Sequence, residues 1–314
     1  LEDQIAIFDR DPGTGLLTWT GLADRAGAAL NGPTAMALTP DGLQLYAAAK
    51  LGNAIECFSR DAGTGELTHF ATLADSQVLP GGGHLDGLLE PRALVVSPDG
   101  VHLYAVSAVD SAVTIFARNP ATGVLTYLGF VRDATGNPPI DGLNGATALA
   151  FSPDGLHLYV AGELDDAIAV FRRDPATGLL TFVHRRRDGL SGVTGIHRVT
   201  AVAVSRDGGY VFGASRDGNA LTVFRRDDNP ASPTFGRLVD FIEARVDGDP
   251  DPNGVGAPPQ VPEIDGLAGG LGLVVSPEAD GRHVYALGNI DNGVAVFHKD
   301  LVAPELPAFD APTP

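Results

Sequence analysis

The chain has 314 residues, of which 44% are hydrophobic, and 39 acidic against 21 basic side chains give it a formal net charge of −18. This excess of negative charge argues against nucleic acid and anionic membranes as partners, because both repel an acidic surface. No run of about 18 apolar residues occurs, so direct membrane insertion is not expected, and the single cysteine excludes an internal disulfide bond.

Taken in chain order, two phrases alternate from one end to the other. A short apolar strand ending in phenylalanine recurs six times, with the copies ending at Phe8, Phe58, Phe116, Phe171, Phe224 and Phe297. Most copies are followed by one or two basic residues, a turn such as Asp-Pro-x-Thr-Gly, and a further strand. Between copies, an apolar strand closes in Ser-Pro-Asp-Gly or a relative of it, and a tyrosine-containing strand follows.

Each repeat therefore contains four strands, which we name a, b, c and d in chain order. The chain begins with c and d and ends with a, b and c, so it holds about one strand more than five complete units need. Tandem four-stranded units without helical periodicity are typical of a β-propeller, in which twisted sheets stack radially and bury both faces.

The predicted fold is thus an all-β propeller of four-stranded antiparallel blades, with five blades favoured and six as the alternative. Closure is expected in a last blade that joins the N-terminal d strand to the C-terminal a, b and c strands. One c strand, at residues 5–8 or 294–297, is then surplus and could mediate self-association by edge pairing. Residues 1–300 are predicted to form this propeller, and residues 301–314, with four prolines, a linker or tail.

The combination of Ser-Pro-Asp-Gly, a tyrosine strand, and Phe-x-x-Asp-Pro-x-Thr-Gly-x-Leu resembles the lactonase-like propellers. These include the 6-phosphogluconolactonase family and the bacterial surface repeats of the YVTN type, and the regular units are closest in style to the surface proteins. The resemblance implies a propeller fold, and for its enzymes, which usually have seven blades, a catalytic site at the central channel mouth.

Alternating hairpins predict two unlike sides of the disc. The a–b and c–d turns are short and repeated, so their aspartates are expected to bond their own turns. The opposite side carries the longer b–c and d–a loops, where function is expected. The loop containing Asp247, Asp249 and Asp251 is a candidate calcium site, because carboxylates suit that cation, although a solvated acidic loop is the alternative.

Residues just before each a strand should border the channel mouth. Asn31 and Asn144 are candidate ligand-binding residues there, together with Arg92, His197 and Arg198. A lactonase needs a general base and cations that hold an anion. Glu90 or His197 could be the base and Arg92 with Arg198 could hold the anion, whereas a structural ion-pair cluster is the alternative interpretation of the same residues.

Three functions follow from these features. The first is a non-catalytic, secreted or cell-surface module for binding or structural assembly, with a protein or carbohydrate partner. The second is a lactone hydrolase acting at the channel mouth. The third is a calcium-stabilised adhesin or a subunit of a surface assembly. No cofactor is predicted, with calcium as the alternative.

Overall fold

The computed structural model describes residues 3–23, 30–136, 138–249, 264–276 and 283–298. Every regular element in this part of the chain is a β-strand, and each strand pairs antiparallel with a strand next to it in sequence. A helix long and apolar enough to cross a membrane was not found among these residues. The predicted tail at residues 301–314 lies outside the described ranges.

The strands join into six sheets. An N-terminal hairpin contains Ala6–Arg10 (β1) and Leu17–Leu22 (β2). Blade 1 contains Pro33–Leu38 (β3), Gln44–Ala49 (β4), Ala54–Arg60 (β5) and Leu67–Ala74 (β6). Blade 2 contains Pro91–Val96 (β7), His102–Ser107 (β8), Ala112–Arg118 (β9) and Leu125–Arg132 (β10).

The second half of the chain repeats the arrangement. Blade 3 contains Ala146–Phe151 (β11), His157–Gly162 (β12), Ala167–Arg173 (β13) and Leu180–Arg187 (β14). Blade 4 contains Val199–Val204 (β15), Tyr210–Ser215 (β16), Ala220–Arg226 (β17) and Leu238–Val246 (β18). Blade 5 contains Gly270–Val275 (β19), His283–Gly288 (β20) and Gly293–His298 (β21).

The prediction of an all-β, five-bladed propeller is confirmed. Five sheets begin with an a strand, and these a strands contact one another in sequence, β3 with β7, β7 with β11, β11 with β15 and β15 with β19. The a strands are therefore innermost; strands b, c and d follow outward in blades 1 to 4, and strands b and c in the described part of blade 5.

The hydrophobic core lies between successive blades. Alternation along a strand sends neighbouring side chains to opposite faces, so Val113 and Ile115 of β9 pack towards blade 3 while Phe116 packs towards blade 1. The free thiol of Cys57 is fully buried in the core shared by blades 1 and 2. Burial raises the pKa of the Cys57 thiol, so it is an inert core residue, as its strand pattern predicts.

A repeated polar clamp ties blades 1 to 4 to one another on the side of the short turns. Between blades 2 and 3, Arg173 donates from Nε to the Tyr104 hydroxyl at 3.1 Å and pairs with Asp99 at 2.7 Å. The Tyr104 hydroxyl in turn donates to the carbonyl of Gly178 at 2.6 Å. The same clamp joins Arg118 to Tyr46 and Asp41, and Arg226 to Tyr159 and Asp154.

The two ends of the blade series expose surfaces that are buried elsewhere. Val296 of β21 is 58% exposed, whereas Ile115 at the same place in blade 2 is 2% exposed. At the other end, Phe8 of β1 is 49% exposed, whereas its counterpart Phe116 is fully buried. The hairpin packs its other face on blade 1, through Ile5 and the neighbouring strands.

The predicted way of completing the last blade is wrong in one detail. The N-terminal d strand, β2, pairs with β1 from Ala6↔Leu22 to Arg10↔Leu17. Among the described residues, blade 5 accordingly has three strands, with β21 paired to β20. The reason is local, because the tight turn at residues 11–16 brings β1 and β2 together at little entropic cost.

Candidate functional site

One backbone position at the channel mouth is left-handed in all five blades. It stands just before each a strand and has φ values from 52° to 69° in the series Gly32, Glu90, Gly145, Arg198 and Gly269. Glycine adopts this conformation without steric cost, whereas another residue type is strained there. Glu90, at φ 53°, and Arg198, at φ 52°, are therefore exceptions in a repeated glycine position.

The b–c turn of the preceding blade holds this position in place. The Asn53 side chain accepts a hydrogen bond from the backbone N–H of Glu90 at 2.9 Å, and Asp166 accepts one from Arg198 at 2.7 Å. Ser111 and Asn219 do the same for Gly145 and Gly269. The mouth of the channel is thus fixed by the repeat, and the two non-glycine side chains project from a backbone that neighbouring blades hold in place.

Glu90 lies in a basic cluster between blades 1 and 2. Its carboxylate pairs with Lys50 Nζ at 3.5 Å and with Arg92 Nη2 at 3.2 Å. A cavity of about 300 Å³ opens beside it, and Lys50, Asn53, Leu89 and Glu90 contribute to its lining. Lys50, Glu90 and Arg92 are all partly exposed, so solvent reaches the carboxylate.

Arg198 lies in a second charged cluster, between blades 3 and 4. Glu163 accepts ion pairs from Arg198 at 3.4 Å and from Arg216 at 2.6 Å. Asp217 pairs with the same two arginines, at 3.4 and 3.2 Å. His197 points to a different carboxylate, with its Nδ1 3.2 Å from Asp166.

The structure brings Glu90 and Arg92 together. Within the described ranges, neither of them forms an ion pair or hydrogen bond with His197 or Arg198. The predicted structural ion pair between Glu90 and Arg92 is present. Whether any of these side chains is catalytic stays a prediction.

The two asparagines predicted as ligand-binding residues border the same mouth. The Asn31 carbonyl accepts backbone hydrogen bonds from Leu51 and Gly52. The Asn144 side chain accepts a hydrogen bond from Ser111 at 3.3 Å, and its backbone N–H donates to Asp165. Asn31 is therefore bonded within blade 1, whereas Asn144 connects blade 3 to blade 2. A ligand-binding role for either residue stays a prediction.

Sequence analysis missed Lys50, Glu163 and Arg216, the partners that complete the two clusters. All three occupy the residue that follows strand b, where blades 2 and 5 have Ala108 and Asn289. Aligning the b–c turns as well as the a strands is the signal that could have found them.

Carboxylates gather between blades on the same side of the disc. Three groups have carboxylate oxygens within 4.8 Å of one another: Asp75 with Asp86 and Asp110, Asp133 with Asp141 and Asp165, and Asp247 with Asp265 and Asp291. Arginines pair with members of the first two groups, since Arg132 lies 3.2 Å from both Asp86 and Asp110 and Arg185 lies 2.6 Å from Asp141. Burial raises the pKa of Asp110 and of Asp133.

The predicted calcium loop is only partly described. Asp251 lies outside the described residues. Asp247 accepts a backbone hydrogen bond from Leu267 at 3.2 Å, and Asp249 accepts one from Val246 at 3.4 Å. The carboxylates that approach Asp247 come from Asp265 and Asp291 in other loops, and calcium binding stays a prediction.

Comparison with known proteins gives the family. The model of the lactonase family, described as a seven-bladed β-propeller, matches residues 1–79 and 139–241, which is more than half of the chain. The chain belongs to the lactonase family. The lactonase-like resemblance predicted from the repeats is confirmed, and within the described residues this lactonase-type propeller has five sheets that begin with an a strand.

Solved structures with a similar fold cover nearly all of this lactonase-type chain. A protein from Lactobacillus plantarum has a TM-score of 0.67 at 20% identity, with 96% of this chain and 76% of that chain aligned. The periplasmic gluconolactonase of Pseudomonas aeruginosa has a TM-score of 0.62 at 24% identity, with 94% and 73% aligned.

A curated relative aligns with a smaller part of the chain. An uncharacterised protein of Lactococcus lactis subsp. cremoris is 24% identical over 200 residues, which are 63% of this chain and 52% of the relative. The chain therefore spans about half the length of the curated relative that it matches.

Proposed function

We propose that the protein hydrolyses a sugar-acid lactone at the channel mouth, with Glu90 as the general base. The observation that carries the proposal is the placement of Glu90 in a left-handed backbone at a position where three other blades have glycine. Strained residues of this kind concentrate at functional sites, because the fold must stabilise them against their local preference. Membership of the lactonase family supports the same reaction class.

The chemistry proposed for Glu90 is proton transfer. Its carboxylate would take a proton from a water molecule as the water oxygen attacks the lactone carbonyl carbon. The bond from that carbon to the ring oxygen then breaks, and Glu90 returns the proton to the departing alkoxide. The products are one hydroxyl group and one carboxylic acid, so no oxidant or cofactor is needed.

Lys50 and Arg92 would supply the positive charge that this reaction needs. Both lie beside Glu90, at 3.5 and 3.2 Å from its carboxylate. Cationic groups positioned where an oxyanion develops stabilise the transition state more than the ground state. On a chain with a net charge of −18, such a basic cluster also offsets the general repulsion of an anionic substrate.

Glucono-δ-lactone is the substrate to test, since a structural relative is a gluconolactonase. Hydrolysis releases a proton, so a pH indicator follows the rate against the spontaneous reaction. We expect Glu90→Gln to lower the rate at least 100-fold, the usual range for a lost general base being roughly 10²–10⁴. Glu66→Gln, in the exposed c–d turn of blade 1, is the matched control and should keep the wild-type rate.

Two results would contradict the proposal. A wild-type protein that does not accelerate hydrolysis has no gluconolactonase activity, and an active Glu90→Gln variant removes Glu90 from the mechanism. Equal melting temperatures of the variant and the control show that a lost rate is not lost folding.

A non-catalytic binding or structural module is the second candidate. The observation that favours it is that the charged residues at the channel mouth do not form one site. Within the described ranges, the ion pairs of Glu90 and Arg92 are separate from those of His197 and Arg198. A secreted or cell-surface location, a protein or carbohydrate partner, and a calcium-stabilised adhesin remain proposals under this candidate.

A further inference from the structure

The c–d turn of blade 4 departs from the repeat. Residues 227–237 separate β17 from β18, whereas the shorter stretch 174–179 separates β13 from β14. The insertion keeps the polar clamp, because the Gly236 carbonyl accepts the Tyr159 hydroxyl at 2.7 Å just as Gly178 accepts Tyr104. The extra residues therefore extend from an unchanged frame.

These extra residues form one wall of a cavity of about 330 Å³. Arg237, Phe235 and Ser232 line it from the inserted turn, and Arg172 and Phe182 line it from blade 3. No carboxylate belongs to the described lining, although the protein as a whole is strongly acidic. The cavity lies on the side of the short turns, away from the channel mouth that carries Glu90.

The two arginines of the cavity have no partner in the part of the chain that the structure describes. Within the described ranges, Arg172 and Arg237 have no ion pair within 4.0 Å and no side-chain hydrogen bond, and the Nε of Arg237 is buried without a partner. Arg92, Arg132 and Arg185 also leave Nε unbonded, but each of them forms an ion pair through another nitrogen. A buried donor with no partner in a native structure calls for an explanation, and an absent ligand is one.

The arginine of blade 4 that corresponds to Arg172 does have an ion-pair partner. Arg225 of β17 occupies the place in blade 4 that Arg172 occupies in blade 3, and it pairs with Asp240. The histidines near the cavity do not compensate, since burial and nearby arginines lower the pKa of His184 to about 4 and burial with Arg226 lowers that of His157 to about 4. Both rings are neutral at pH 7, so the positive charge comes from the arginines.

We propose that this cavity binds a small oxyanion, a carboxylate or a phosphate, through Arg172 and Arg237. A guanidinium group presents a planar set of donors that matches both anions. Phe182 and Phe235 offer apolar surface to the rest of the ligand. This site is separate from the proposed lactonase site and does not depend on it.

The test uses inorganic phosphate and benzoate as probes, with sodium chloride at matched ionic strength as the reference. Binding is followed by the side-chain Nε–Hε resonance of Arg237 in ¹H–¹⁵N spectra and by the melting temperature. We expect a saturable shift of that resonance with at least one probe, and the probe that binds tells a phosphate site from a carboxylate site. Arg172→Gln should weaken binding at least tenfold, whereas the matched control Arg225→Gln should leave it unchanged.

Two outcomes overturn the proposal. The first is an Arg237 resonance that does not saturate with either probe beyond the effect of sodium chloride. The second is an Arg172→Gln variant that binds as tightly as the wild type. Because Arg172 is exposed on β13, its substitution does not threaten folding, and an unchanged melting temperature without ligand verifies this.

Discussion

Glu90 and Arg198 show how single residues depart from a repeat that otherwise fixes the backbone. A left-handed conformation costs a non-glycine residue about 1–2 kcal/mol. Glu90 retains it because Asn53 holds its N–H and the adjacent blade fixes the turn. Its exposed ion pairs with Lys50 and Arg92 offset little of this cost in stability, since such pairs contribute about 0–1 kcal/mol.

Replacing Glu90 by glycine should therefore stabilise the protein. We expect Glu90→Gly to raise the free energy of unfolding by about 1 kcal/mol, through relief of the left-handed strain, while it abolishes the lactonase activity proposed above. Chemical denaturation measures the first effect. Glu66→Gly is the control, because φ of Glu66 is not positive, and it should not stabilise. A destabilised Glu90→Gly variant would contradict the strain argument.

For single residues, the sequence predicts where a side chain lies better than which other residue it contacts. Aligning the a strands was enough to place Glu90, Arg92 and Arg198 at the channel mouth. Their counter-ions, Lys50 and Glu163, lie on b–c turns whose side-chain directions depend on the register between strands a and b. That register includes an irregularity in every blade, as between Pro91 and Ala93, so alternation alone could not predict the contacts.

The polar clamp is the element-scale feature that most distinguishes the blades from isolated sheets. The turn aspartates bond their own turns as predicted, since Asp154 accepts the Leu156 N–H at 2.8 Å. The same carboxylate also pairs with Arg226 of the next blade. Burial raises the pKa of Asp154, but hydrogen bonds from Ser152 and Leu156 and the charge of Arg226 outweigh it, so the net pKa is lowered.

Sequence analysis could not predict the second role of these aspartates. The six repeats predict strand order and turn chemistry, because both depend on neighbouring residues. Asp154 and Arg226 are 72 residues apart. The residues that neighbour Arg226 in sequence do not indicate which aspartate it contacts. The contact follows from the stacking of blades, which the tandem repeat predicts only in outline.

His157 makes this clamp between blades 3 and 4 sensitive to pH. Burial and Arg226 lower its pKa from 6.5 to about 4. Between these values the unfolded chain binds a proton that the folded chain does not, so stability falls as the pH falls through this window. One pKa unit corresponds to about 1.4 kcal/mol, and a loss on the order of 3 kcal/mol between pH 7 and pH 4 is expected from this residue.

Thermal or urea unfolding of His157→Gln tests this expectation. Blade 1 already has glutamine at the equivalent position, where Gln44 accepts a hydrogen bond from Arg118. The variant should lose less stability than the wild type between pH 7 and pH 4, whereas His84→Gln, at an exposed loop position, should follow the wild type. Identical pH profiles for all three proteins would exclude His157 as the source.

The whole molecule has two apolar end surfaces that differ from the rest of the disc. Val294, Val296 and Tyr285 form one, and Phe8 with Trp19 belongs to the other, with Trp19 61% exposed. The counterparts of Tyr285 and Val296 in blade 2, Tyr104 and Ile115, are buried between blades. The predicted ring closure through β2 would have covered such a surface, but β2 is held by its own hairpin.

Self-association through the surplus c strand, as predicted from the strand count, therefore remains a proposal with a defined surface. We expect the sedimentation coefficient to rise with protein concentration and Val296→Asp to reduce that rise, because a charge on an apolar contact surface disfavours burial. Val124→Asp is the control, since Val124 is similarly exposed, in the c–d turn of blade 2. A sedimentation coefficient that is independent of concentration, or of Val296→Asp, would contradict the proposal.

The lone thiol of Cys57 has a consequence for how the disc opens. Its side chain is sealed between blades 1 and 2, and burial raises its pKa, so the reactive thiolate forms only after these blades part. The rate of Cys57 alkylation in native buffer therefore reports on the exposure of this thiol. This rate, compared with the rate in denaturant, measures how often Cys57 becomes accessible, either when blades 1 and 2 separate or when the whole chain unfolds.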